Sequence, residues 1–223
     1  REKQVKFTIG GAYIDFMPAN VNAAYVGDVS ANVQTLFPKT NIGYTYAFGD
    51  SNVNFGVIGN YNKFRADGTD TVGGKTLISY MGYVNAKIVA GAITLIATAD
   101  YGVNEGNMGL GDFNFNSTYL AATLASNGKY KDTTSYEGAL EVMYKVDPFS
   151  IGGGFGYVHS ENKADGVKME SALMSCYLEA IVPVNAYVTL YPEVSYFKTL
   201  KDPALDSSGE EAIWAGAMIN YYL

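Results

Sequence analysis

This chain has almost none of the residues that build disulfide frameworks, metal cages and nucleophilic sites. Its 223 residues include one Cys (Cys176) and one His (His159). A single Cys excludes an intramolecular disulfide and any Cys-based metal cage, and a single His cannot build a multi-His site. The chain also lacks a long apolar run. Apolar charge-free stretches such as Ile88–Ala99 are about a dozen residues, short of the roughly 18–20 a membrane helix needs. Ser171–Pro192 is apolar enough to suggest a helix, but Glu179, Pro183 and Asn185 interrupt it. Either no membrane is crossed, or it is crossed by strands. No basic stripe exists, and with a net charge of −7 and a pI near 4.7 a nucleic-acid partner is not expected. An acid excess of this size reads as loop solubility. No signal segment is present, and the start at Arg1 suits a mature form after cleavage or a trimmed sequence.

Tyr and Gly are abundant, with 19 and 25 copies, set in segments that alternate at period two. Alternation of this kind marks strands. Ten strands are predicted: Val5–Phe16, Ile42–Phe48, Val53–Tyr61, Thr76–Ile88, Ile93–Val103, Tyr136–Val146, Phe149–His159, Lys168–Val182, Ala186–Phe197 and Glu211–Leu223. The first sets Val5, Phe7, Ile9 and Tyr13 against Lys6, Thr8, Gly10 and Ala12. The third sets Val53, Phe55, Val57 and Tyr61 against Asn54, Gly56, Asn60 and Asn62. Connections alternate between short (Gly49–Asn52, Val89–Ala92, Asp147–Pro148, Pro183–Asn185) and long (Pro18–Asn41, Asn62–Lys75, Asn104–Ser135, Ser160–Val167, Lys198–Glu210). Such alternation gathers tight turns at one end and large loops at the other, an asymmetry typical of transmembrane barrels. Asn22–Phe37 has apolar residues near helical spacing with Pro38 as a stop, so a short helix and a solvated loop are equally expected there. Phe113, Phe115, Tyr119 and Leu120 offer an extra hairpin within the long second loop.

The last strand carries the family resemblance. Ile213, Ala215, Ala217, Ile219, Tyr221 and Leu223 form one apolar row that runs to the carboxyl terminus. This ending resembles the closing strand of outer-membrane β-barrel proteins, porin-like ones included, although their last residue is most often Phe. The resemblance implies an all-β fold: one antiparallel up-and-down transmembrane barrel of ten strands, with eight or twelve as alternatives, over residues 1–223, with long loops at 18–41 and 104–135. It also implies a bacterial (Gram-negative-type) outer membrane, lipid as a partner, and a closed cylinder in which the first strand pairs with the last. Unpaired backbone groups in hydrocarbon cost several kcal/mol each, so closure is expected.

In such a barrel the apolar row faces lipid and the other row fills the lumen. Lys87, Asp100, Glu137, Glu141, Lys145, Glu179 and Glu193 are the candidate lumen-lining residues. Glu137 and Glu141 lie about 13 Å apart by strand rise, too far for the usual glycosidase pair. A salt-bridge ladder with Lys145 and Lys87 is the expected role. Tyr13, Tyr44, Tyr46, Tyr61 and others near strand ends suit aromatic girdles. The Gly-rich run Ile151–Gly156 lacks the Lys-Ser/Thr and helix of a phosphate loop, so no cofactor is expected, and a bend or close packing is predicted instead. Ten-stranded outer-membrane proteases of the omptin family use a His beside an Asp. Here His159 precedes Ser160 and Glu161 without that motif, so a rim His and no enzymatic activity are expected. Near ten strands a lumen is almost filled by side chains. The expected function is a narrow, porin-like path for ions or very small solutes. The alternatives are a plugged structural or adhesive barrel that displays its loops, and a soluble β protein that binds a ligand inside.

Overall fold

The computed structural model describes residues 4–18, 31–66, 75–108, 120–124, 130–201 and 209–221. The chain is all-β and antiparallel. In order come β1 (Val5–Ile9), β2 (Ala12–Met17), β3 (Ala31–Phe48), β4 (Ser51–Ala66), β5 (Lys75–Ala90), β6 (Ile93–Val103), a short 3₁₀ turn (Glu105–Met108), β7 (Thr123–Leu124), β8 (Tyr130–Lys131), β9 (Thr133–Val146), β10 (Phe149–Ala164), β11 (Val167–Asn185), β12 (Val188–Lys201) and β13 (Glu211–Tyr221). Eleven strands form one up-and-down sheet in chain order, and β7 and β8 form a separate two-stranded pair.

The count of ten is corrected to eleven by one turn. Gly10 sits at φ +59°, a left-handed conformation that glycine adopts without steric cost. It lets the chain reverse at Gly10 and Gly11, so the predicted first strand is a hairpin pairing Val5 with Phe16 and Ile9 with Ala12. The two-residue turn also shifts the alternation. Tyr13 leaves the face of Val5, Phe7 and Ile9 and joins that of Lys6 and Thr8. The Lys6 ammonium lies 4.1 Å from the centre of the Tyr13 ring.

Tight turns do gather at one end, at Gly10, Gly49, Gly91, Asp147 and Ala186. Gly49 and Gly91 also have positive φ. The opposite end is less uniform than expected. The predicted long loop Ser160–Val167 is a two-residue turn, Asp165 (φ 51°) followed by Gly166 (φ 83°), the conformation Asp-Gly favours in hairpins. Strand continues to Ala164 and resumes at Val167. Loop 18–41 is also shorter than expected, because β3 starts at Ala31. Residues 31–37 are therefore strand rather than helix, and 22–30 lie outside the described residues. Phe113, Phe115 and Tyr119 lie outside them too, and the hairpin of that region is the small β7–β8 pair.

The two faces of the sheet are inverted relative to a water-soluble protein. Large apolar side chains stand exposed: Val57 is 56% accessible, Leu178 70% and Ile213 77%. Among the described residues no second layer covers them, as a sandwich would require. The row opposite is polar and buried, with Asn60 at 4% and Asn62, Ser79 and Ser135 at 1%. β1 and β13 form the two margins of the sheet, and no pairing joins them among the described residues. The expected pairing of first and last strands is therefore absent. With an odd count the two margins also run in the same direction.

Candidate functional site

The polar row can be followed across the sheet through the register. Asn54 lies opposite Asn85, Asn85 opposite Thr98, Thr98 opposite Ala139, Ala139 opposite Gly156, and Gly156 opposite Ser175. The seven predicted lumen residues share this face. Asp100 is directly opposite Glu137, and Glu179 directly opposite Glu193. Glu141 is flanked by Ile96 and Gly154. Lys87 (opposite Asn52 and Ile96) and Lys145 (opposite Ser150) lie close to the tight turns. The acids therefore hold the middle of the strands and the lysines the turn end. The expected salt-bridge ladder is not found among the described residues: Lys87 and Glu141 share a row but stand on either side of Ile96, two strands apart, and no ion pair joins any of the seven. Among the described residues the ion pairs join Lys168 to Glu161 and Glu170, Lys201 to Glu170, and Lys198 to Glu211, all with exposed or partly exposed side chains near the loop end.

Glycines on this face make room for larger neighbours. A Cβ at Gly154 would collide with the Tyr177 ring, and one at Gly152 with the Met143 sulfur. Tyr177 and Glu141 flank Gly154 from the two neighbouring strands, and the Ser195 hydroxyl donates to Glu193. The run Ile151–Gly156 is thus a packing device, as the absence of a phosphate-loop pattern suggested. The same arrangement recurs beside the first margin. The Tyr13 ring lies over Gly43 and the Tyr83 hydroxyl over Gly56. These two hydroxyls touch each other. Tyr83 also donates to Asn41 (2.9 Å), and the Asn54 amide donates to Tyr13 (3.1 Å) and Thr45 (2.7 Å). Alternation alone cannot reveal this network, because its register depends on the turn at Gly10.

The segment after β6 folds onto the polar face. Asn104 fixes its start, donating to the Ile78 carbonyl (3.1 Å) and Asp132 (2.8 Å) and accepting from the Thr133 amide (2.9 Å). The Lys39 ammonium, on β3, reaches the Met108 carbonyl at 3.4 Å. From the other side, Leu120 packs against Val158 and Leu173 of β10 and β11. The segment therefore touches polar-face side chains of β3 and of β10–β11. Met108 and Leu120 are fully buried. Glu105 is carried inward with the turn and is 4% exposed. Burial pushes its carboxyl up, to about 7. The nearby Ser135 hydroxyl opposes that shift and the Glu137 carboxylate adds to it. Sequence reading missed Glu105 because a lone Glu in a polar stretch carries no periodic signal.

His159 is buried rather than at an exposed rim. Tyr136 stacks on it with ring centres 4.9 Å apart, its exposure is 8%, and its Nδ1 has no hydrogen-bond partner.

Comparison with known proteins places the fold. No family model and no curated protein sequence matches the chain. Among solved structures it is similar to the outer membrane channel DcaP of Acinetobacter baumannii, with a TM-score of 0.70 and 14% sequence identity. The match covers 99% of this chain and 62% of the channel, so the chain spans less than two thirds of that protein's length. The likeness is one of fold, an all-β, antiparallel up-and-down sheet similar to that of this channel.

Proposed function

We propose that the chain is an integral outer-membrane β-barrel and that its polar face lines a narrow passage for ions or very small solutes. The observation that carries this reading is the inverted burial of the two faces. A contiguous exposed apolar surface of this extent is unfavourable in water and is what acyl chains solvate. Buried Asn and Ser on the other face suit a wet or hydrogen-bonded interior. Strand lengths agree: β4, β5 and β10 each have 16 residues, more than the 9–11 or so that cross a bilayer. Their loop-side ends, with the ion pairs at Glu161, Lys168, Glu170 and Lys201, then stand clear of the hydrocarbon. In a bilayer the margins at β1 and β13 cannot stay bare, so this reading requires them to be joined there. The acids Asp100, Glu137, Glu141, Glu179 and Glu193 line mid-passage, and Lys87 and Lys145 its turn end. The likeness to a channel supports a transport role rather than an enzymatic one.

The inward segment favours a second reading, a plugged barrel whose loops meet partners. Its described residues Met108 and Leu120 are buried against that face. Conductance in planar bilayers decides between the two. Discrete cation-selective steps are expected of a passage, with selectivity reduced by Glu141→Gln. A folded, inserted and electrically silent protein selects the plugged barrel.

A further inference from the structure

Between the inward segment and the wall of β5, β6 and β9–β11 lies a recess of about 370 Å³, within the range of small-ligand pockets, about 300–1,000 Å³. Its composition is two-sided. Met81, Leu120, Val158 and Leu173 give an apolar surface, while Glu105 and Glu137 bring carboxyl groups to the same space. Asp100 lies directly opposite Glu137 on the neighbouring strand. The Glu105 side chain is more than nine-tenths buried, and its Oε1 has no hydrogen-bond partner. The Ser135 hydroxyl lies beside Glu105 but is not part of the lining. Buried polar atoms without partners are costly and rare, so a group that supplies donors here is favoured twice, by charge and by hydrogen bonding. No lysine is among the described residues that line the recess. Lys39 is engaged with the Met108 carbonyl, and Lys87 and Lys145 lie toward the tight turns.

We propose that this recess is a binding site for small organic cations, a primary ammonium carried on a short apolar or aromatic body. The proposal rests on the polar face being the wet interior described above, and it names the solute class that interior would select. An ammonium offers three donors, and the Glu105 and Glu137 carboxyl groups supply acceptors for them. The body of the solute covers Met81, Leu120, Val158 and Leu173, which a hydrated metal ion would leave unused. Because burial holds the Glu105 proton to about pH 7, a cation entering at lower pH must displace it, and affinity rises with pH. The other titratable groups facing Glu105 are Asp100 on β6 and Glu137 on β9. Tyr83, opposite Asp100, contributes a phenol from β5.

Binding of 4-fluorobenzylammonium to the full chain folded in detergent micelles, followed by ¹⁹F NMR, tests this without needing conduction. Expected are saturable binding at pH 8, affinity several-fold weaker at pH 5.5, and no binding of 4-fluorobenzoate. Glu105→Gln and Glu137→Gln should each weaken binding about tenfold. Ala139→Leu, which fills the recess and leaves the carboxyl groups in place, should abolish it, with circular dichroism verifying the fold. Equal affinity for the benzoate, binding unaffected by both Gln variants, or no binding by the folded protein would overturn the proposal. Bilayer conductance is read separately. Current without ammonium binding keeps the passage and removes the site, while binding without current keeps the site and removes the passage.

Discussion

Val57 shows what the residue scale can decide. It lies mid-strand on β4 and is 56% exposed, on the face assigned to lipid. Val57→Arg should cost roughly 2–4 kcal/mol of stability in a bilayer, measured by urea titration of the protein refolded in liposomes. A cost near zero would move that face out of the hydrocarbon. Glu105 gives a pH-dependent prediction. Its folded value of about 7 lies above the ordinary 4.5, so the fold binds the proton more tightly than the unfolded chain does. The resulting stability is fully present below about pH 4.5 and is lost as pH rises through about 7. Glu105→Gln should flatten that decline, and a wild-type profile already flat over this window would remove the buried carboxyl from the account. Much at this scale was legible. Glu137, Glu141 and Lys145 were placed together by period two, which survives in any regular strand. Tyr13 was not, because two glycines upstream change the phase. Tyr177 and Glu105 were not because their roles depend on neighbours distant in sequence.

At the scale of elements, the Gly10 turn decides the count. Valine there would have to adopt φ near +59°, at a cost of about 1–2 kcal/mol, so Gly10→Val should loosen the β1–β2 hairpin. Faster amide exchange is expected across Phe7 to Phe16 with β9–β12 unchanged, and Gly10→Asn should be milder, since Asn tolerates this region. Unchanged exchange in Gly10→Val would mean that the hairpin does not depend on the turn. Strand centres were readable throughout, and their ends were not. Polar residues such as Asn62 and Asn162 look like loop but continue the ladder, because the face they occupy turns inward and carries polar side chains near the loop end as well. Asp165-Gly166 is a local turn signal hidden among Ser160, Glu161, Asn162 and Lys163, whose polarity resembles that of a longer loop. The inward segment was recognised as unusually long, but its attachment through Asn104 and Lys39 needs coordinates.

For the whole molecule, the account depends on which solvent meets which face. The up-and-down order and the end asymmetry were legible because turn residues and alternation are local. Closure was not, since it depends on how the margins at β1 and β13 are completed. The most direct test is thiol labelling in liposomes with a membrane-impermeant methanethiosulfonate. Cys176 lies on the apolar row between Met174 and Leu178, so the native thiol should stay unreactive. In a Cys176→Ser background, Ser175→Cys and Thr98→Cys on the polar row should react, while Leu178→Cys and Val57→Cys should not. If the apolar-row thiols react as fast as the polar-row ones in the intact bilayer, the two faces do not meet different solvents and the account fails.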